Sequence, residues 1–204
     1  MVGCAVPMDF YEVVAKRRSI RKFKEEPVPE KLLNKVLEAG RWAPSAGNSQ
    51  PWGFILVTDA DAKQRIAEVC TEFSRKAWAE FSPERARYLA ARGGSWDKSG
   101  IAKIPVLVVV CYEVPERMRE ELILGSAWAA IENMLLAATA EGLGSCIYTF
   151  YDMDEENRLK EILRVPEKYR LAGMIQLGYS VAEPPVPLRK TLNEIVFYQH
   201  FQHS

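Results

Sequence analysis

The chain has 204 residues with 27 Lys+Arg against 27 Asp+Glu, so its overall charge offers no attraction to nucleic acid or to an anionic membrane surface. Hydrophobic residues make up 48% and charged residues 26%, the profile of a single globular core rather than of a disordered or fibrous chain. The only histidines, His200 and His203, lie at the terminus, which excludes HExxH metal chemistry, a zinc quartet and a Ser-His-Asp triad.

Cys4, Cys70, Cys111 and Cys146 form no CxxC pair and are expected to be buried free thiols. Met1 to Asp9 lacks the basic-then-apolar pattern of a secretion signal, which points to a cytoplasmic protein. In chain order, Asp9 to Arg18 has helical apolar spacing (Phe10, Val13, Val14) with Asp9 as N-cap, and this first helix is expected to end near Ser19. A second helix is predicted from Pro29 to Trp42, with Leu32, Leu33, Val36 and Leu37 on its apolar face. Pro44 to Gln50 is a turn-forming loop, followed by the strand-type run Phe54-Ile55-Leu56-Val57.

From Asp61, the positions Ile66, Val69, Cys70, Phe73 and Ala77 predict a long helix, after which Arg92 to Gly100 reads as a glycine-rich mobile loop. Val106 to Cys111 is an unbroken apolar run, as expected of a strand covered on both faces at the centre of a sheet. Leu122 to Glu141 is apolar over a length of about 20 residues, comparable with a membrane span; Glu132, Asn133 and its polar flanks assign it instead to a buried core helix. Trp128 is accordingly expected to pack in the core.

Gly142-Leu143-Gly144 stops that helix, Ser145 to Phe150 reads as a strand, Glu155 to Leu163 as a short helix ended by Pro166, and Ala172 to Leu177 as the last core strand. Beyond Glu183 come Pro184, Pro185 and Pro187, then a stretch carrying Leu192, Ile195, Val196 and Phe197: an arm with an apolar face that needs something to pack on. The alternation of helices and strands is compatible with a sheet layered on both faces by helices.

The densest local charge is Lys16-Arg17-Arg18-Ser19-Ile20-Arg21-Lys22. Guanidinium forks bind a phosphate dianion bidentately. A helix C-terminus repels anions, so a phosphate site here has to be built from cationic side chains rather than from a helix dipole.

Arg17-Arg18-Ser19-Ile20-Arg21-Lys22-Phe23, the loop Pro44-Ser45-Ala46-Gly47-Asn48-Ser49-Gln50-Pro51-Trp52, the segment Ala137-Ala138 to Gly142-Leu143-Gly144, and Gly178-Tyr179 followed by Arg189-Lys190 and Glu194 together resemble the nitroreductase superfamily over nearly the whole chain. Ser180 departs from the family's usual proline and bears on turn stiffness. The resemblance implies an α+β fold: a three-layer α-β-α sandwich with a mixed, mainly antiparallel sheet, spanning residues 1–182, and a C-terminal extension, 183–204, that packs on the partner subunit of a homodimer.

It further implies FMN as cofactor, with NADH or NADPH as hydride donor and a ping-pong transfer to a small acceptor such as a nitroaromatic or quinone. Carried over by position, Arg17, Ser19 and Arg189, with Arg18 beside them, surround the FMN phosphate, and Arg21 points to the N1/O2 edge of the ring. Pro44, Ser45, Ala46 and Asn48 approach from the other protomer, and Tyr148, Thr149 and Phe150 line the flavin face. No side chain has to act as nucleophile, because the flavin carries the chemistry. In the 93–103 loop Asp97, Lys98 and Lys103 offer a polar contact without a decisive match, and Trp96 and Trp128 are the candidates to cover the substrate side of the ring, with core packing the first expectation for Trp128. The alternatives are a reductive dehalogenating or flavin-fragmenting member, which would carry a distinctive lid that is not evident between Phe73 and Pro105, or a non-enzymatic flavin-binding protein.

Overall fold

The computed structural model describes residues 8–91, 94–150 and 152–201; the expectations for Cys4, His203 and positions 92–93 lie outside the described residues. Helix α1 (Phe10–Lys16) is capped by the Asp9 carboxylate, which accepts from the Tyr11 N–H, and ends at Lys16, three residues before the sequence pattern suggested, with the backbone turning extended at Arg17. Helix α2 (Glu30–Arg41) buries Leu33 and Val36. Strand β1 (Trp52–Val57) follows directly on the 44–51 loop.

Where one long helix and a loop were expected, there are two helices, α3 (Ala60–Ala79) and α4 (Pro83–Ala90). Pro83 cannot continue α3 but suits the first turn of a new helix, and the Ser82 hydroxyl caps it by accepting from the Arg85 N–H. Helix α4 buries none of its residues. Strand β2 (Val106–Glu113), helix α5 (Glu120–Ala140), strand β3 (Gly144–Tyr148), helix α6 (Met153–Leu163) and strand β4 (Tyr169–Gly178) complete the body. Strand β3 stops at Tyr148, short of the expected Phe150, because the chain has to turn for Asp152 to cap α6.

The sheet runs β1-β2-β4-β3, and all its named strands pair antiparallel. The mixed character expected of it comes down to one isolated parallel bridge, Ser19 to Ser145. As its uninterrupted apolar run foretold, β2 is central. Its Val106, Val108, Val110 and Tyr112 face α2 and α5, while Leu107, Val109 and Cys111 face α3 and α6. A register shift between Val110 and Cys111 leaves Ala172 of β4 as an extra residue, so Ala172 and Ile175 face one core and Leu171 and Met174 the other. The result is three layers with an apolar core on each face of the sheet.

Helix α5 is the one described helix long and apolar enough to cross a membrane, and one face of it is packed into the protein. Ile123, Ala127, Ala130, Ile131, Met134 and Ala138 are fully buried. The opposite face, with Leu122, Gly125, Trp128 and Glu132, is open. The expectation of a wholly buried helix therefore holds for one side only, and Trp128, 36% exposed, is not a core residue of the single chain. From Glu183 to Phe201 the polypeptide forms no helix or strand and is exposed except at half-buried Pro184, apart from a 3-10 turn at Leu192–Glu194, which a Thr191/Glu194 capping box closes.

Glu156 of α6 is buried, accepts from the Leu171 N–H at 2.8 Å, and is held by the Arg170 Nε and Nη2 at 2.9 and 3.1 Å. Arg170 also reaches Glu120 at 2.9 Å, and Glu120 accepts from Tyr112 at 2.8 Å. This network ties α6, β4, β2 and the start of α5 together. Removing one partner strands a buried carboxylate, a cost of several kcal/mol when the pair is fully buried, less here because Arg170 is half-exposed. Arg170→Met is expected to lower unfolding free energy by about 2 kcal/mol in urea titrations at neutral pH; an unchanged midpoint would remove the network from the stability of the fold.

Candidate functional site: a cationic corner at the end of β3

The segment after α1 is laced to the sheet. The Ile20 N–H donates to the Ser145 carbonyl at 2.8 Å, the Lys24 N–H to Tyr179 at 2.9 Å, and the Val181 N–H to Lys22 at 3.1 Å. Ser19 thus pairs in parallel with β3, and Phe23 pairs antiparallel with Ser180. Ile20 is buried against Gly144, where a Cβ would come within 2.9 Å of the Ile20 side chain. Glycine is required at 144 by this close approach.

This lacing delivers the basic motif to β3. The Cys146 thiol, raised chiefly by burial, is acted on in the other direction by Arg21, by a hydrogen bond with Ser19, by Lys98 and by Arg17. Three of the predicted residues, Arg17, Ser19 and Arg21, therefore gather around a single position of β3. Lys98 arrives from the 94–98 loop, anchored by its own N–H to the Thr71 hydroxyl at 3.1 Å and by its ammonium to the Ser95 carbonyl. Its ammonium lies 6.0 Å from the centre of the Tyr148 ring. Burial, followed by the nearby Arg21 charge, lowers the Lys98 ammonium below the usual lysine range.

Arg18 does something else in the single chain: its Nη1 donates to the Ala15 and Arg17 carbonyls at 2.5 and 2.8 Å and so caps the C-terminus of α1. Arg17 Nε sits 3.5 Å from the Glu132 carboxylate on α5. Arg189 stands exposed on the C-terminal arm. Tyr148 ends β3 on the same face as Cys146, two residues on, and Thr149 and Phe150 follow it, Thr149 exposed.

The Pro44 to Gln50 loop is a separate, largely exposed feature. It contains a short 3-10 turn, Ala46–Asn48, with positive φ at Gly47, Asn48 and Gln50. The Ala46 N–H donates to the Ser126 hydroxyl of α5 at 3.1 Å, and the Gln50 N–H to Ser45 at 3.0 Å. The loop is thereby fixed next to the open face of α5, with Pro44 and Asn48 exposed.

Three features escaped the sequence reading. Lys98 was visible only as one of three polar candidates in a loop, Cys146 only as a buried free thiol, which it is, and Glu155 only as the first residue of a helix. The pairing of Tyr148 with Glu155, at 2.6 Å, carries no local sequence signal.

The model of the nitroreductase family matches residues 14–179. The chain belongs to the nitroreductase family. An iodotyrosine deiodinase of Thermotoga neapolitana is 30% identical over 191 residues, covering 94% of this chain and 98% of that protein. Among solved structures, an oxidised iodotyrosine deiodinase bound to FMN and 3-iodo-L-tyrosine is similar with a TM-score of 0.84 at 28% identity, covering 95% of this chain and all of that one (100%). A nitroreductase with bound FMN from Bacteroides fragilis is similar with a TM-score of 0.68 at 27% identity, over 95% of this chain and 100% of that one. The three-layer fold read from the resemblance is thus that of the nitroreductase family.

Gly144→Ala inserts a methyl group against the stiff, buried Ile20 and should destabilise the protein by about 1–3 kcal/mol. Thermal unfolding of the variant measures it; wild-type stability would mean that the segment after α1 is not held against β3 as described.

Proposed function

We propose that the protein is an FMN-dependent oxidoreductase whose cationic corner at β3 holds the flavin. The observation that carries this reading is the lacing of the basic Arg17 to Lys22 segment onto β3, with the Ile20 N–H bonded to the Ser145 carbonyl at 2.8 Å and Ser19 bridged to Ser145, while the Lys98 ammonium lies 6.0 Å from the Tyr148 ring at the end of the same strand. A half-buried ammonium, disfavoured by desolvation and then by the neighbouring Arg21 guanidinium, is relieved by an anion. Ser145 Oγ, buried beside Ser19, finds no hydrogen-bond partner among the described residues. The donor set therefore fits an anionic, hydrogen-bond-accepting group such as a flavin mononucleotide.

In this reading Arg17 and Ser19, with Arg18 beside them and Arg189 delivered by the arm, bind the phosphate. Arg21 faces the N1/O2 edge, where a cation favours the negative charge of reduced flavin. Tyr148, Thr149 and Phe150 line the ring. When bound, FMN supplies two-electron chemistry, accepting hydride from NADH or NADPH and passing it to a small acceptor such as a nitroaromatic or quinone.

The protein acts as a homodimer with two equivalent flavin sites. Pro44, Ser45, Ala46 and Asn48 approach the flavin of the other copy, and the C-terminal extension 183–204 lies outside the 1–182 domain and packs on that copy. Two apolar surfaces support this: the open Leu122, Gly125 and Trp128 side of α5, and the arm, where Leu188 and Leu192 are 98% and 73% exposed. A cytoplasmic location belongs to the same reading.

A second reading, reductive dehalogenation of a halogenated phenol, is favoured by α4, which occupies the stretch between Phe73 and Pro105 where a lid would be sought, and by the likeness to deiodinases. Halide release from 3-iodotyrosine under dithionite, set against NADH or NADPH oxidation with a quinone, separates the two.

The purified protein should be yellow or become so with FMN. A charge-assisted hydrogen bond contributes about 1.5–3 kcal/mol, so Arg17→Ala should weaken FMN binding about tenfold to a hundredfold, measured by quenching of flavin fluorescence, at unchanged melting temperature of the apoprotein. A colourless protein that FMN cannot reconstitute defeats the proposal.

A further inference from the structure

Helix α6 opens with two adjacent buried glutamates that meet different partners. Glu156, 4% exposed, looks to Arg170 and β4, away from the cationic corner. Glu155, 0% exposed, looks to the end of β3, where its Oε1 accepts from the Tyr148 hydroxyl at 2.6 Å. The same hydroxyl lies 3.4 Å from the Cys70 carbonyl of α3. Burial raises the Tyr148 phenol far above its ordinary range, followed by Cys70 and Glu155, so the phenol keeps its proton and serves as the donor.

Tyr148 ends β3, with Thr149 and Phe150 following it, and Glu155 lies in the first turn of α6. That first turn is capped by the Asp152 carboxylate, which accepts from the Glu155 N–H at 2.9 Å. The phenol–carboxylate bond therefore ties the end of β3 to the first turn of α6. The end of β3 carries the Tyr148 ring under the Lys98 ammonium.

We infer that Glu155 is a positioning residue: through Tyr148 it holds the 149–150 backbone and the Tyr148 ring in the arrangement that meets the flavin. The inference rests on the flavin reading proposed above and adds to it a group that never touches the cofactor. A buried carboxylate is costly to keep. Its neighbour Glu156 is kept for the fold, and Glu155 is kept for the site.

The test compares Glu155→Ala, Glu155→Gln and Tyr148→Phe with Glu156→Gln, all as FMN-loaded protein. Displacements of about 1 Å at a reacting group cost roughly 10²-fold, so Glu155→Ala and Tyr148→Phe should slow reduction of the bound flavin at least tenfold and shift its visible absorption band. Glu155→Gln, which keeps an acceptor oxygen, should restore the rate to within about threefold of the parent. Glu156→Gln should lower the melting temperature while leaving band and rate unchanged. The same spectrum and rate in parent, Tyr148→Phe and Glu155→Gln, with Glu155→Ala unfolded, would overturn the positioning role and leave the flavin reading intact. A Glu156→Gln protein with the same band shift and slowed flavin reduction as Glu155→Ala would overturn it too, as would a parent protein that binds no FMN, which alone also overturns the flavin reading.

Discussion

The hydrogen bond from the Ile20 N–H to the Ser145 carbonyl is the contact on which the candidate site depends. Strand β3 is an edge strand, and an edge left open presents unpaired backbone groups. Here the segment leaving α1 covers it for one bridge before moving on to Ser180. Because that covering segment is also the most basic in the chain, satisfying the sheet edge and assembling the cations are one event. Gly144 makes the approach close enough, by offering no Cβ to Ile20.

The chain carries no net charge, so any anion affinity has to be local. The locality is achieved against an adverse background, since the corner lies at the C-terminal end of α1, where the helix dipole disfavours anions. Arg18 counters this by donating to the last carbonyls of α1. Glu132 holds Arg17 from the α5 side at 3.5 Å, an ion pair between partly exposed groups that contributes little stability of its own.

Helix α5 links the core to what lies beyond the single chain. Its buried face completes one of the two cores, and its Ser126 fixes the Pro44 to Gln50 loop. The open face and the exposed arm remain as apolar surface of a size that proteins ordinarily cover.

Much of the architecture was legible in the sequence because it depends on short-range periodicity: the continuous apolar run of β2, the 3.6-residue spacing of α2 and α3, and the Gly142 stop after α5. The family motifs also pointed to Arg17, Ser19 and Arg21. Other features depend on partners far away in the chain. Ser82-Pro83, which separates α4 from α3, is a local cap that reads as a loop until its hydroxyl is seen bonded. Lys98 meets Tyr148 across 50 positions, and Glu155 differs from Glu156 only in which neighbour its helix face presents. Residue order alone determined which segments are helix or strand and where the positive charge is concentrated. Tertiary packing decided which of those charges meet and which buried carboxylate faces the site, because contact across the sheet depends on register and burial, and neither is encoded within a few residues of the groups that meet.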